Sequence, residues 1–318
     1  MQIIRHIDDQ ALTLRGSVVT LGNFDGIHRG HQALVHSSVA DANRLGLPCV
    51  VLTFEPHPLK VLAPERAPKM LLSHKDKMQM LQSLGVDIVV IQNFDFSFAK
   101  LTAEEFVQRF LVDRLKIKKI WVGQDLRFGQ GRKGSVENLL HWGGDIGFEV
   151  GIVEPILVDG IRVSSSRIRQ LVTEGRTDQV RALLGRYHFI SGKVVGGHRR
   201  GRDLGFPTAN IATRTEVTPL DGVYASLFHL KDKTLPSVSS VGVNLTFGAG
   251  PRTVESYIFD FNEDIYGESV KLSFVRRLRA EMKFAAVESL VAQMREDVVN
   301  AQSVLNDLNP AGRGVLPA

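Results

Sequence analysis

The stretch Leu21-Gly-Asn-Phe-Asp-Gly-Ile-His-Arg-Gly-His31 decides the fold of the first half of this chain. The apolar run Ser17-Val-Val-Thr-Leu21 precedes it, and a helical pattern over 32–41 follows it. This order predicts a strand, a glycine turn and a helix, because glycine allows tight bends and close approach to a ligand. The free amides and positive dipole of the helix start would then lie beside His28 and His31, which predicts an anion site.

The pattern around this stretch alternates strands with helices. Strands are predicted at 49–54, 87–92, 119–123 and 148–153, and helices at 75–84, 103–115 and 136–142. Such alternation predicts an α/β fold with a Rossmann-like, doubly wound parallel sheet. Ligands of these sheets bind beyond the carboxyl ends of the strands.

The second half of the chain has a different period. Helical patterns at 168–174 and 177–184 end at Gly185, and short β-type runs follow at 187–195, 222–228, 237–243, 255–261 and 269–275. Closely spaced strands predict a small antiparallel barrel, and an apolar stripe over 287–301 predicts a helix packed on it. We therefore expect domains at 1–184 and 185–308, with a disordered tail over 309–318.

Composition narrows the class of protein. The 318 residues suit two domains, and 43% hydrophobic with 23% charged residues is typical of a globular chain. The lone Cys49 lies in an apolar run and is expected in the core. No secretory signal or stretch of about 18 apolar residues is evident, which predicts a cytoplasmic protein without a membrane segment. We expect a monomer or a weak homo-oligomer.

The charge balance indicates anionic ligands. The net charge is +5 and the pI is near 9.3, which suits nucleic acid, nucleotides or phosphates. No long basic run or basic-aromatic ladder accompanies that charge. Small phosphorylated substrates are therefore expected, and nucleic acid is not.

Several motifs lie at the predicted carboxyl ends of the strands. Gly-Asn-Phe-Asp-Gly-x-His-x-Gly-His resembles the nucleotide-binding signature of adenylyl and cytidylyl transferases. Together with Phe54-Glu-Pro-His-Pro58, Gly123-Gln-Asp-Leu-Arg-Phe-Gly129 and Ser164-Ser-Ser-Arg-Ile-Arg169, it resembles the FMN adenylyltransferase module of prokaryotic FAD synthetases. That family usually has Thr where this chain has Ser166, and the hydroxyl is retained. The resemblance implies that FMN phosphate attacks the α-phosphate of ATP and expels pyrophosphate.

The resemblance also implies residue roles, with His28 and His31 at the ATP phosphates and the transition state. The implied ATP-binding residues are Gly22, Asn23, Phe24, Asp25, His28, Gly30, His31, Ser164, Ser165, Ser166 and Arg167. The implied FMN- or phosphate-binding residues are Asn23, Asp125, Arg127, Phe128, Arg162 and Arg169. Without the family, turn histidines and serines at a helix start are equally well explained as capping groups, so both interpretations stay open.

A second set of motifs lies in the predicted barrel. Gly205-Phe-Pro-Thr-Ala-Asn-Ile211 is followed by Gly222-Val-Tyr224, Gly242-Val-Asn244 and Val254-Glu255. These motifs resemble the riboflavin kinase domain, which implies a Greek-key antiparallel barrel with a C-terminal helix. Leu245 stands where that family commonly has Pro.

The chemistry of the Pro-Thr-Ala-Asn segment agrees with a kinase. Its hydroxyl and amide oxygen lie two residues apart on one side of a strand, and both are hard ligands that suit Mg²⁺ beside phosphate. By the resemblance, Thr208 and Asn210 bind Mg²⁺ and ATP phosphates, and Glu255 is the base for the riboflavin hydroxyl. The implied ATP-binding residues of the kinase are Gly196, His198, Arg199, Gly201, Arg202, Gly205, Pro207, Thr208 and Asn210. The implied flavin-binding residues are Asn244, Glu255, Arg276 and Arg279.

The motifs together predict a bifunctional enzyme that uses ATP and Mg²⁺ to convert riboflavin to FMN and FMN to FAD. One alternative is a single nucleotidyltransferase that acts on another phosphorylated substrate and carries a degenerate barrel. Another is an RNA-associated protein, prompted by the charge and the synthetase-like histidines. The joint presence of Thr208, Asn210 and Glu255 favours the bifunctional enzyme.

Overall fold

The computed structural model describes residues 1–9, 12–197, 201, 204–243 and 252–308. The predictions for His198, Arg199, Arg202 and Asn244, and for the tail over 309–318, lie outside the described residues. The chain divides into two compact units, residues 1–69 with 74–164 and residues 70–73 with 165–318. This division falls before the helical pair that the sequence assigned to the first domain, and the domain boundary near 184 stays a prediction.

The first unit contains a six-stranded parallel sheet. Its strands are β1 (Gln2–Arg5), β2 (Ser17–Leu21), β3 (Cys49–Glu55), β4 (Ile88–Asn93), β5 (Ile117–Gly123) and β6 (Glu149–Val153). Its α-helices are α1 (Arg29–Leu45), α2 (Pro58–Leu62), α3 (His74–Ser83), α4 (Ala103–Phe106) and α5 (Val136–Ile146). A π-helix at Val107–Arg114 extends α4, and a hairpin of β7 (Leu157–Val158) and β8 (Ile161–Arg162) follows β6.

In the strand order β1-β4-β3-β2-β5-β6, successive strands are added first on one side of β2 and then on the other, so the order reverses at β2. The chain runs from β2 through β3 to β4 on one side and returns to β5 and β6 on the other, with all pairings parallel. All five residues of β2 are buried, as expected for a strand covered on both faces. The predicted doubly wound parallel sheet is confirmed.

Two parts of this unit were absent from the sequence prediction. β1 is an edge strand in which Ile4 alone is buried, so it has no recognisable apolar run. The strands β7 and β8 have two residues each, which is too short for a period. The lone cysteine, Cys49, is buried in the core as predicted.

From residue 165, the second unit consists of α6 (Ser165–Thr173), α7 (Thr177–Leu184) and a closed barrel. The barrel strands are β9 (His188–Val195), β10 (Thr208–Thr213), β11 (Gly222–Leu230), β12 (Lys233–Gly242), β13 (Thr253–Ile258) and β14 (Ser269–Arg279). All pairs in the order β10-β13-β12-β11-β14-β9 are antiparallel. Because β14 returns to lie beside β11, strands β11 to β14 form the predicted Greek key.

Alternation along the strands separates the two faces of the barrel. Tyr224 and Phe228 of β11 pack in one buried cluster, and the intervening Leu227 packs in another with Ala301. Ala301 lies on α8 (Val287–Asn306), the predicted C-terminal helix, which packs on β11, β12 and β14. The predicted apolar stripe packs on the barrel over its C-terminal half. Val287, at the start of the stripe, is 46% exposed.

A buried ion pair fastens α8 to the barrel. The guanidinium of Arg279 on β14 donates to both carboxylate oxygens of Asp297 at 2.8 and 2.7 Å. The side chains are 19% and 6% exposed. A bidentate, largely buried pair is geometrically specific, and removing one partner leaves an uncompensated charge.

We therefore expect Asp297→Ala to lower the local stability of β14 and α8 by about 3 kcal/mol, because Arg279 would stay buried without its carboxylate. Hydrogen exchange followed by mass spectrometry over 269–279 and 287–306 measures this loss of protection. The matched control is Glu296→Ala, since Glu296 is the exposed neighbour on the same helix. Equal protection in the Asp297→Ala and Glu296→Ala variants would contradict a stabilising role for the Arg279–Asp297 ion pair.

Two candidate active sites

The turn after β2 has an unusually tight backbone. Gly26 has a φ of 82°, and Phe24 and Ile27 also adopt left-handed values of 49° and 40°. Non-glycine residues rarely adopt this conformation, which costs free energy. Both side chains are fully buried, so core packing holds the turn in place. Glycine was predicted to allow this bend, and of the three glycines in the motif only Gly26 has a left-handed φ.

The two predicted histidines lie together where this turn enters α1. His28 is the N-cap of the helix, and its Nδ1 accepts the backbone N–H of His31 at 3.3 Å. The imidazole rings stack with their centroids 3.7 Å apart and their planes within 14°. Capping and stacking together orient both rings at the positive end of α1, which is suited to binding phosphate.

Unpaired polar atoms point to a ligand at this turn. Nδ1 of His31 and Oδ1 of Asn23 are buried and have no hydrogen-bond partner among the described residues. Burial lowers the pKa of His31 well below its ordinary value, and the charges of His28 and Lys77 lower it further. His31 is therefore neutral near pH 7. Buried polar atoms without partners are costly, and a bound ligand would remove that cost.

Two residues at this site had no role in the sequence analysis. Nε2 of His57, which follows β3, lies 3.2 Å from Nδ2 of Asn23. The Pro-His-Pro motif after a predicted strand was the signal for His57. Lys77 on α3 is 9% exposed, and its Nζ lies 3.4 Å from the carbonyl oxygen of Asn23. No local pattern marks Lys77, since a lysine on an amphipathic helix usually faces water.

The predicted FMN and phosphate residues have different surroundings. Asp125, just after β5, forms an ion pair with Arg162 at the end of β8, and both side chains are more than half exposed. Nη1 of Arg127 lies 3.8 Å from Oε2 of Glu137. Phe128 packs among the phenylalanine rings of the core. The structure thus brings Asp125 and Arg162 together, and the ligand contacts of all four predicted residues stay predictions.

The serine motif spans the division of the chain. Ser164 ends the first unit, and Ser165 and Ser166 open α6 in the second. Arg167 on the same helix donates from Nη1 to the side-chain oxygen of Gln170 at 2.9 Å. The ligand roles of these residues and of Arg169 stay predictions.

In the second unit, a hydroxyl, an amide and a carboxylate share one face of the barrel. Asn210 on β10 is the cross-strand partner of Glu255 on β13. Thr208, two residues before Asn210, donates from Oγ1 to Oε2 of Glu255 at 3.2 Å. Ala209 and Ile211, which alternate with them along β10, pack in the barrel core, so these polar side chains lie on the outer face.

The segment before β10 approaches this face closely. A Cβ added to Gly197 would overlap the side-chain amide of Asn210, and one added to Gly201 would overlap the backbone of Phe206. A side chain at position 201 would collide with backbone, and one at position 197 would have to displace the Asn210 amide. Three more residues of the predicted ATP-binding set are close to this segment in the sequence, and all three are exposed: Gly196, Gly205 and Pro207.

The predicted flavin-binding arginines differ in their availability. The guanidinium of Arg279 is occupied by Asp297 and also donates to the carbonyl of Ala280 at 2.9 Å. Arg276 is exposed. A flavin contact by either residue stays a prediction, and one by Arg279 would have to compete with its ion pair.

Comparisons with known proteins match both units. A family model described as FAD synthetase matches residues 10–167, and one described as riboflavin kinase matches residues 184–305. A bifunctional riboflavin kinase/FMN adenylyltransferase of Escherichia coli K12 is 36% identical, over 98% of this chain and all of the relative. This chain belongs to the bifunctional riboflavin kinase/FMN adenylyltransferase family. The predicted family, enzyme class and pair of transfer activities are confirmed.

Other members of the family and a solved structure agree. The enzyme of the same name from Haemophilus influenzae is 34% identical, over 96% of this chain and all of the relative. The one from Listeria monocytogenes is 38% identical, over 88% of this chain and 90% of the relative. A crystal structure of a protein named macrolide-efflux protein, from Streptococcus pneumoniae, has a TM-score of 0.85 and 34% identity, and it covers 95% of this chain and 99% of its own.

The name of the Streptococcus pneumoniae protein refers to efflux, whereas its likeness to this chain is one of sequence and fold. Among the helices that the structure of this enzyme describes, none has the length and apolar character needed to cross a membrane.

Gly197 gives a test of the candidate kinase site. We expect Gly197→Ala to displace the Asn210 amide and to lower riboflavin phosphorylation by about tenfold to a hundredfold, because a misplaced active-site group is costly. The adenylylation of supplied FMN by the same protein is the internal control and should be unchanged. Steady-state rates of both steps, measured by chromatography of the flavins, check this. An unchanged phosphorylation rate would mean that the close approach of Gly197 to Asn210 has no part in catalysis.

Proposed function

We propose residue roles for the two transfers of this bifunctional enzyme. The observation that carries the kinase assignment is the shared outer face of Thr208, Asn210 and Glu255. The observation that carries the adenylyltransferase assignment is the stacked His28–His31 pair at the start of α1. Each site gathers groups suited to phosphate chemistry, which supports one ATP site in each unit.

In the kinase step, Glu255 accepts the proton of the riboflavin 5′-hydroxyl. The freed oxygen forms a bond to the γ-phosphorus of ATP, the bond from that phosphorus to the β–γ bridging oxygen breaks, and ADP leaves. A carboxylate is a suitable base because proton transfer from the hydroxyl accompanies bond formation. The Thr208 hydroxyl donates to Glu255 at 3.2 Å and orients its carboxylate.

The donor set fits the predicted Mg²⁺. Thr208 and Asn210 offer a hydroxyl and an amide oxygen beside the Glu255 carboxylate, and all are hard oxygen ligands. Among the described residues, no group of three or more His, Cys, Asp or Glu side chains could hold a metal ion. Thr208, Asn210 and the ATP phosphates would hold Mg²⁺, which would neutralise phosphate charge when bound.

In the adenylylation step, an FMN phosphate oxygen forms a bond to the α-phosphorus of ATP. The bond from that phosphorus to the α–β bridging oxygen breaks, and pyrophosphate leaves. No covalent enzyme intermediate is needed, so the work of the site is to position charge and donors. His28, His31 and the first amides of α1 would contact the ATP phosphates, while Arg162 would exchange Asp125 for a ligand phosphate.

The setting of the enzyme is also part of the proposal. Its substrates are small molecules, namely riboflavin, FMN and ATP, and no role for nucleic acid is required. Its dependence on ATP supports a cytoplasmic location. We propose that it acts as a monomer or a weak homo-oligomer.

Glu255→Gln tests the kinase assignment. Glutamine can still accept the Thr208 hydrogen bond but cannot take a proton, so riboflavin phosphorylation should fall by about a hundredfold or more. The control is Glu263→Gln, because Glu263 is an exposed glutamate paired with Lys233. FMN formation from riboflavin and FAD formation from supplied FMN are measured separately. Phosphorylation at the wild-type rate in the Glu255 variant would refute its role as the base.

His28→Asn tests the adenylyltransferase assignment. Asparagine preserves the helix cap but removes the imidazole. We expect FMN to accumulate from riboflavin while FAD formation falls by about a hundredfold, as for loss of a transition-state donor. His36→Asn is the matched control, since His36 is exposed on the same helix. If the His28 variant produced FAD at the wild-type rate, the first unit would use other residues for this step.

A further inference from the structure

Lys77 is buried at a place where a lysine is costly. It lies on α3 (His74–Ser83) in the first unit and is 9% exposed. Lysine is almost never fully buried unless its ammonium is paired, because removing the charge from water is expensive. The partners of this ammonium therefore show what it does for the fold.

Those partners belong to the turn after β2, which carries His28 and His31, and to the neighbouring strand β3. Nζ of Lys77 donates to the carbonyl oxygen of Asn23 at 3.4 Å and to Oγ1 of Thr53 at 3.3 Å. Asn23 follows β2, and Thr53 is a fully buried residue of β3. The ammonium thus links the turn to the neighbouring strand, across 54 and 24 positions of the chain.

This turn needs an anchor. Phe24 and Ile27 hold left-handed backbone conformations, and Oδ1 of Asn23 has no partner among the described residues. A backbone in such a state persists where surrounding contacts overdetermine it. The hydrogen bond from Lys77 is made to the carbonyl immediately before Phe24, where it constrains the turn that carries the histidines.

We propose that Lys77 is a positioning residue for FMN adenylylation, whose buried ammonium fixes the turn after β2 against β3 and supplies a positive charge near His31. This proposal rests on the assignment of His28 and His31 to the adenylylation step. In this proposal, Lys77 does not contact the substrate directly. Its effects reach the reaction through the turn and through the electrostatic field at His31.

The charges around His31 agree with that role. Burial is the largest cause of the lowered pKa of His31, and the charges of His28 and Lys77 lower it further. Burial also lowers the pKa of Lys77 itself, while Glu55 at the end of β3 and Asp25 in the turn oppose that lowering. The two carboxylates therefore favour the charged ammonium. Removing the Lys77 charge should raise the pKa of His31, while burial continues to hold it below its ordinary value.

The test compares Lys77→Met with Lys77→Arg in the full-length enzyme. Methionine keeps the apolar stem without the charge, and we expect FAD formation from supplied FMN to fall at least tenfold. The His31 titration, followed by NMR, should move to higher pH, and the limb of the pH–rate profile that His31 controls should move with it. Arginine keeps the charge, so its His31 midpoint should stay near that of the wild type even if the rate falls.

Two controls separate this role from general damage. Riboflavin phosphorylation by the same proteins should keep its wild-type rate. Lys75→Met, at an exposed lysine of the same helix, should leave both steps and the His31 titration unchanged.

A wild-type adenylylation rate in Lys77→Met overturns the proposal, as does one His31 midpoint shared by wild type, Met and Arg proteins. If Lys77→Met does not fold, Thr53→Val takes its place, because it removes one of the two oxygens that hold the ammonium. Unchanged adenylylation in Thr53→Val would then overturn the proposal. Failure of the underlying assignment is distinguishable, because in that case His28→Asn would keep its adenylylation rate.

Discussion

The reversal of strand order at β2 is the constraint on which the proposed adenylyltransferase site depends. β3 and β5 flank β2, and the connections from these strands leave in opposite directions. A crevice therefore opens beyond the carboxyl end of β2, where the sheet has no covering connection. The Gly22–His31 turn and Asp125 emerge at this edge, and α1 directs its free amides to the same place.

The barrel positions its polar groups by a different device. Antiparallel pairing sets Asn210 opposite Glu255, and alternation puts Thr208 on the same face while Ile211 turns into the core. A closed sheet has no free edge, so the register of β10 against β13 cannot slip without exposing that core. The geometry of the proposed kinase site is therefore a consequence of barrel closure.

The first site combines neutral donors with a fixed cation. His31 is neutral near pH 7 because burial and neighbouring charges lower its pKa. The neutral imidazole of His31 and the backbone amides of α1 can bind phosphate without forming strong ion pairs. The buried ammonium of Lys77 lies 3.4 Å from the carbonyl oxygen of Asn23 and adds positive potential at the turn.

Local patterns were sufficient for most of the fold. Apolar runs identified β2 to β6, the change of period marked the barrel, and the spacing of His28, His31, Thr208 and Asn210 indicated both phosphate sites. These features are visible locally because strand and helix periods follow directly from which faces are buried. The edge strand β1 and the short hairpin of β7 and β8 were not predicted from the sequence, because neither buries enough side chains to create a period.

Tertiary structure alone decided which partners the functional side chains have. It pairs Arg279 with Asp297, sets Asp125 beside Arg162, and brings Lys77 to a turn far away in the sequence. It also holds Phe24 and Ile27 in left-handed conformations by burying their side chains. The physical reason is that a charge or a strained residue is stabilised by groups from other elements, and a local pattern carries no record of those groups.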